Sequence, residues 1–176
     1  MLGWLVFAGV ALSVFAADMV SKYWAFATVA GIPVRPDPSY PGSGIPEHAS
    51  IAVIPHVLDL HLILNRGAVF GMGQGQQGLF VVVSVLASLF IVWMMSVSSR
   101  RAWLMHVALG LILAGALGNL YDRVMFGAVR DLFWMLPTLG LWPWIFNLAD
   151  AVLMTGVGLI LLMSFRGGQR AEPASA

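Results

Sequence analysis

Residues 78–97 read GLFVVVSVLASLFIVWMMSV, an unbroken apolar run without a single charge. An α-helix needs about 20 such residues to cross the hydrocarbon core of a bilayer. Three other largely apolar runs lie at about residues 2–29, 102–120 and 148–165. The sequence therefore predicts an all-α integral membrane protein, built as a four-transmembrane-helix bundle.

The composition agrees with a membrane protein and excludes several functions. Of the 176 residues, 60% are hydrophobic and 10% are charged, whereas a soluble domain carries about 25% charged residues. The net charge is +1 and there is no basic run, so no nucleic-acid partner is predicted. The absence of cysteine excludes thiol catalysis and disulfides. The four histidines lack metal-ligand spacing, so neither a metal site nor a cofactor is predicted.

The first apolar run has an alternative interpretation as a cleaved signal peptide. Val14-Phe-Ala16 resembles a small-residue cleavage site. However, no Lys or Arg precedes the run, and signal peptides normally begin with a basic region. We therefore interpret the run as a transmembrane helix of the mature protein.

The distribution of arginines predicts the orientation in the membrane. Arg100 and Arg101 occupy the tight turn between the second and third runs, and Arg166 and Arg170 follow the fourth. Basic residues in short loops favour the cytoplasmic side. We expect both termini in the cytoplasm and two outer loops, at 30–77 and 121–147. The domain prediction is a single membrane-embedded unit over 1–170 with a C-terminal tail over 171–176.

Each outer loop carries a structural signal. In the first loop, Leu58, Leu60, Leu62 and Leu64 alternate with other residues, which is the periodicity of a strand. We expect a small extramembrane β-element there, ending at 65–67. The second loop is rich in tryptophan, which favours the membrane interface, so we expect it to lie along the membrane surface. Its tryptophans are Trp134, Trp142 and Trp144.

Small residues in the third and fourth runs predict close helix packing. Their spacing allows neighbouring backbones to approach in lipid. They are Gly110, Ala114, Gly118, Gly156 and Gly158.

Five polar clusters lie at the ends of the runs or in the outer loops. Each one alone has a structural explanation: a local ion pair, a turn, an interfacial anchor or a partner of a helix dipole. Under the predicted topology all five lie on one side, whereas independent anchors would be shared between both sides. Charge at membrane depth is costly and usually functional, and two carboxylates brought together can activate water. The clusters are Asp18 with Lys22, Asn65 with Gly67, Asn119 with Asp122 and Arg123, Asp131, and Asn147 with Asp150.

The same clusters resemble the motifs of the lipoprotein signal peptidases, also called signal peptidase II. The motifs occur in the family's order, from the first run to the last. They read DMVSK at 18–22, NRGAVF at 65–70, GNLYDR at 118–123, VRDLF at 129–133 and FNLAD at 146–150.

The resemblance implies a membrane aspartyl endopeptidase of the bacterial inner membrane, with its active site on the outer face. It implies cleavage of diacylglyceryl-modified prolipoproteins just before the lipidated cysteine. The implied partners are this substrate and membrane lipids, with the enzyme acting as a monomer. Matched motif by motif, the catalytic pair is Asp131 and Asp150. The residues that the resemblance implies for substrate binding and support are Asp18, Lys22, Asn65, Gly67, Asn119, Asp122, Arg123 and Asn147.

Three features depart from the family pattern. Val69 stands where a small residue is more common, and Arg130 stands directly before Asp131 where an apolar residue is expected. The proline-rich stretch at 33–46 is longer than expected. Of these, Arg130 is the one that could alter the titration of the aspartate pair.

The alternative function is a small proton-coupled transporter, because Asp and Lys within a four-span protein also suit proton exchange. The binding site of such a transporter is expected near the bilayer midplane. Here the polar clusters lie at the ends of the runs, and the second, third and fourth runs have no carboxylate in their central turns. The sequence therefore favours the peptidase.

Overall fold

The computed structural model describes residues 1–35, 45–67, 76–139 and 145–168. Several features singled out in the sequence lie outside these residues. They are Val69, Trp142, Trp144, Arg170, most of the proline-rich stretch and the tail at 171–176. The division into one domain and a tail stays a prediction.

Four helices make up most of the described residues: α1 (Leu2–Thr28), α2 (Gln77–Val97), α3 (Trp103–Phe126) and α4 (Leu148–Gly168). Each is long and apolar enough to cross a membrane, which confirms the predicted fold class. Helix α3 continues beyond residue 120, so Asp122 and Arg123 lie in its last turns. It ends at Gly127, whose φ of 73° is left-handed, a conformation that glycine adopts without a steric penalty.

Helix α3 is the central element of the bundle. Of its most apolar window, 44% is buried, against 11–17% for the other helices, and it packs against all three of them. Small residues allow this approach. A Cβ atom added to Gly110 would lie 2.9 Å from the Phe7 carbonyl oxygen, and one on Gly156 would lie 2.7 Å from that of Ala108. The packing prediction is wrong for Gly158, where an added Cβ atom would meet no atom of another described element within 4 Å.

A four-stranded antiparallel sheet covers one end of the bundle. Its strands, in spatial order, are β1 (Ile51–Ile54), β2 (Leu58–Asn65), β3 (Val129–Met135) and β4 (Ile145–Phe146). The hairpin of β1 and β2 confirms the β-element predicted in the first outer loop. The sheet also takes two strands from the second loop, which was expected to lie along the membrane surface. Backbone pairing between β2 and β3 draws the second loop into the sheet: Asn65 lies opposite Val129, and the pairing continues to Met135.

Two apolar clusters hold these parts together. At one end of the bundle, Phe7 of α1 packs with Ile91 of α2 and Leu109 of α3. At the other end, Phe26 of α1 packs with Leu62 of β2 and Leu132 of β3. The second cluster seats the sheet where α1 and α3 end and α4 begins. The polar clusters of the sequence meet at this junction.

Candidate active site

Asp131 and Asp150 approach each other from two different elements. Asp131 projects from β3 and is 1% exposed, and Asp150 lies in the first turn of α4. Asn147 bridges them. Its side-chain Nδ2 donates to Asp131 Oδ1 at 2.6 Å, and its backbone N–H donates to Asp150 Oδ2 at 3.2 Å.

Two further amides bind the remaining carboxylate oxygens. Asn65 Nδ2 donates to Asp131 Oδ2 at 3.1 Å, and Asn119 Nδ2 donates to Asp150 Oδ1 at 2.7 Å. Each of the four carboxylate oxygens therefore accepts one N–H group. This arrangement fixes the orientation of both carboxylates, and among the described residues no cation lies within ion-pair distance of either.

The start of α4 is built around the same residues. Asn147 Oδ1 accepts from the Asp150 backbone N–H at 3.0 Å, while Asp150 Oδ2 accepts from the Asn147 N–H. This reciprocal pair is a capping box, which satisfies backbone donors that a helix start leaves open. Asp18 of α1 caps one more, because its Oδ1 accepts from the Ala149 N–H at 2.9 Å. Asp150 therefore takes part in the cap of α4 and also lies beside Asp131.

Burial dominates the electrostatics of Asp131. Desolvation, followed by the negative charge of Asp150, raises the pKa of the Asp131 carboxyl to about 8. Hydrogen bonds from Asn65 and Asn147 and the charge of Lys22 oppose this rise. Two neighbouring carboxyls that cannot both ionise cheaply share a proton, so burial favours the protonated form of Asp131.

A buried cluster of four charges lies beside the aspartate pair. Lys22 Nζ lies 2.8 Å from Asp18 Oδ2 and 3.1 Å from Asp122 Oδ2, and Arg130 Nη2 lies 2.7 Å from Asp122 Oδ1. The predicted local pair of Asp18 and Lys22 is therefore present, but as part of a larger network. The alternative of a local Asp122–Arg123 pair is wrong, because Asp122 turns toward Lys22 and Arg130 instead.

Arg123 joins the site through carbonyl groups. Its Nη2 donates to the Gly67 carbonyl oxygen at 3.1 Å, and its Nη1 donates to that of Asn119 at 3.3 Å. The Gly67 N–H in turn donates to Asn65 Oδ1 at 2.9 Å, the side-chain turn that Asn and Gly favour. Within the described ranges, no carboxylate lies within ion-pair distance of Arg123, so no ion pair there neutralises the charge of its guanidinium group.

All ten residues singled out in the sequence thus meet in one connected network, and their individual roles stay predictions. Sequence reasoning missed three contributors. Arg130 was noted as a departure that could alter the titration of the pair, but its pairing with Asp122 was not predicted, although a charge in an apolar stretch was its signal. Ala149 contributes a backbone N–H, and Gln77 donates from Nε2 to the Arg123 carbonyl at 3.0 Å; neither had a signal in the sequence. In the part of the chain that the structure describes, no group of His, Asp and Glu side chains could hold a metal ion.

The fold and the site define a multi-pass membrane protein with an amide-bound aspartate pair at one end of its helices. Comparison with known proteins narrows this class. Residues 10–166 match the sequence profile of the family described as Signal peptidase (SPase) II. The chain therefore belongs to the signal peptidase II family and is a multi-pass peptidase of the bacterial inner membrane that serves lipoprotein signal peptide processing.

Individual relatives and solved structures agree. The lipoprotein signal peptidase of Desulfitobacterium hafniense is 39% identical over 114 residues, covering 65% of this chain and 73% of the relative. That of Polynucleobacter necessarius is 35% identical over 161 residues, covering 89% and 87%. A bacterial membrane enzyme solved by the in meso method superimposes with a TM-score of 0.76 and 29% identity, covering 95% of this chain and 92% of that one.

Proposed function

We propose that the protein is an aspartyl endopeptidase that removes the signal peptide from diacylglyceryl-modified prolipoproteins, cleaving just before the lipidated cysteine. Asp131 and Asp150 are the catalytic pair. The observation that carries this proposal is the bridge by Asn147, which holds a buried carboxyl and a helix-start carboxyl in one hydrogen-bond network. The protein acts as a monomer, since the described network closes within a single chain.

The chemistry follows from the shared proton. The ionised carboxylate of the pair takes a proton from water, which then attacks the scissile carbonyl carbon. The protonated carboxyl donates to the carbonyl oxygen and, on collapse of the tetrahedral intermediate, a proton passes to the leaving amine. Positioned general acids and bases of this kind contribute roughly 10²–10⁴-fold each. The raised pKa of Asp131 keeps one proton on the pair at neutral pH.

The surrounding residues position the substrate. Arg123 and Asn65 hold the backbone of Gly67 beside the pair, which supports a role for this segment in holding an extended peptide. The site lies at helix ends, the level at which a diacylglyceryl group anchored among lipid headgroups presents its cysteine. The same placement disfavours a proton-coupled transporter, whose site is expected near the midplane.

The test is cleavage of a diacylglyceryl-modified prolipoprotein by the purified protein in detergent. Asp131→Asn and Asp150→Asn should each lower the rate by at least about 10²-fold, because each removes a proton-transfer group. Asp59→Asn, the same change in β2 outside the network, is the matched control and should cleave like wild type. The unlipidated substrate should remain intact. Full activity in either site variant overturns the assignment of the pair.

A further inference from the structure

Arg130 is buried on the face of β3 opposite to Asp131. Successive side chains of a strand point to opposite faces, so Arg130 turns away from the aspartate pair and toward α1 and α3. It is 6% exposed. Its guanidinium lies 4.4 Å from the centre of the Phe126 ring and 3.9 Å from Met19 Sδ.

Asp122 receives three hydrogen bonds from Arg130 alone. The Nε and Nη2 groups donate to Oδ1 at 3.1 and 2.7 Å, and the backbone N–H donates to Oδ2 at 3.0 Å. A buried carboxylate is tolerated only when it is paired and hydrogen-bonded. Arg130 therefore supplies most of the partners of Asp122.

The charge count shows what this pairing does for Lys22. Asp18 and Asp122 contribute −2, and Lys22 and Arg130 contribute +2, so the buried cluster is neutral. Without Arg130, two carboxylates would share the single ammonium group, and the cluster would carry −1. Lys22 would then be drawn more strongly toward Asp122.

Lys22 connects this cluster to the aspartate pair through Asn119. Its Nζ lies 3.4 Å from Asn119 Oδ1, which also accepts from Asn147 Nδ2 at 3.1 Å. Two donors on Oδ1 orient the amide so that its Nδ2 faces Asp150 Oδ1, at 2.7 Å. The position of Lys22 therefore affects the orientation of the Asn119 amide, which contacts Asp150 of the proposed catalytic pair.

We propose that Arg130 is a positioning residue: by neutralising Asp122 it leaves Lys22 free to hold Asn119 against Asp150. Its positive charge also keeps the buried cluster beside the aspartate pair electrically neutral. This inference rests on the proposed function. Arg130 would have this positioning role at a place in the chain where an apolar residue was expected.

The expected effect is a displaced pH profile. In the described part of the chain, the charged groups of the network around the pair are Asp18 and Lys22 from α1, Asp122 and Arg123 from α3, and Arg130 from β3. Removal of the positive charge of Arg130 favours protonation of both aspartates, so both limbs of the profile of kcat/KM should move to higher pH. For a charge on the order of 10 Å away in a partly buried site, the displacement is about 0.5–1 pH unit.

The experiment compares pH profiles of prolipoprotein cleavage for Arg130→Gln, Arg130→Met and Arg130→Lys. Gln and Met should move the profile upward, and Lys, which keeps the charge, should leave it at the wild-type position. The double variant Arg130→Met with Asp122→Asn removes one charge of each sign and should move the profile back toward wild type. If Arg130→Met does not fold, Arg130→Gln against Arg130→Lys decides the matter.

A loss of folded protein lowers the height of a profile but does not move its limbs, so a purely structural role would leave the limbs in place. Coincident profiles for Arg130→Gln and wild type overturn the inference, as does an equal displacement in the double variant. If the wild type itself does not cleave, the proposed function fails first. If it cleaves and the profiles coincide, only the role of Arg130 fails.

Discussion

Burial of the Asp131 carboxyl raises its pKa to about 8. In the unfolded chain an aspartate titrates near 3.9. A group whose folded pKa is raised contributes stability that is fully present below the unfolded pKa and is lost as pH rises through the folded pKa. The wild-type protein should therefore lose stability from this carboxyl between about pH 4 and pH 8.

Asp131→Asn should remove this pH dependence, because asparagine does not ionise and still offers oxygen to Asn65 or Asn147. We expect the unfolding temperature of Asp131→Asn, relative to wild type, to increase from pH 5 to pH 9 in the same detergent. Asp59→Asn is the matched control and should follow the wild-type trend. Parallel curves for Asp131→Asn and wild type would show that the Asp131 carboxyl is ionised throughout.

At the residue scale, the sequence could predict which groups form the site but only part of their pairing. Asp18 and Lys22 are one helical turn apart, so their contact could be anticipated. The pairing of Asp122 with Arg130 could not be anticipated, because α3 ends and the chain changes direction at Gly127, between the two residues. The choice between Arg123 and Arg130 depends on that turn, which local spacing does not determine.

Among the elements, the start of α4 depends most on a distant residue. Asp18 reaches the Ala149 N–H only because Gly118 of α3 leaves space beside it. A Cβ atom on Gly118 would lie 2.5 Å from Asp18 Oδ2 and 3.1 Å from Ala149 Cβ. Since Lys22 and Ala149 both hold the Asp18 carboxylate, it has little freedom to move aside.

Gly118→Ala should therefore disturb the cap of α4 and the neighbouring site. We expect a loss of about 1–3 kcal/mol in the free energy of unfolding, the usual cost of overpacking, together with reduced cleavage. Gly158→Ala in α4 is the matched control, because nothing lies within 4 Å of its added Cβ. Alanine favours helix over glycine by about 0.5–1 kcal/mol, so the control should be neutral or slightly stabilised. Equal losses in both variants would contradict the packing argument.

The helices were predictable as elements and the sheet only in part. Uninterrupted apolar runs define the helices, and alternating leucines define β2. Strand β3 was missed because Arg130 and Asp131 interrupt its apolar residues on both faces. Both faces are covered in the folded protein, by the helices on one side and the site on the other, so the simple alternation of a half-exposed strand is absent.

At the scale of the whole molecule, the two ends of the bundle differ in character. The end that contains the turn between α2 and α3 holds an apolar cluster, with Phe7, Ile91 and Leu109 in contact, and one buried polar side chain, that of His106. The end that contains the sheet holds the aspartate pair and the charge cluster. The proposed orientation places the apolar end in the cytoplasm and the site on the outer face.

The cysteine-free chain allows a direct test of this orientation by single-cysteine labelling. Ser99→Cys lies in the turn between α2 and α3, and Ala49→Cys precedes β1; both positions are exposed. In intact spheroplasts a membrane-impermeant maleimide should modify Ala49→Cys alone, and lysis should expose Ser99→Cys. Labelling of Ser99→Cys in sealed spheroplasts would reverse the topology. The unsubstituted chain is the control for background labelling.

The contact between Asp18 and the Ala149 N–H joins the first helix to the last, across 131 positions of the chain. A ribosome that has made α1, the sheet strands and α3 has not yet made the second aspartate or the helix start that holds it. A nascent chain that has not reached Asp150 therefore lacks one member of the proposed catalytic pair, and hydrolysis by that pair can begin only after the start of α4 has been made. Products of interrupted synthesis that stop before α4 would carry Asp131 without its partner.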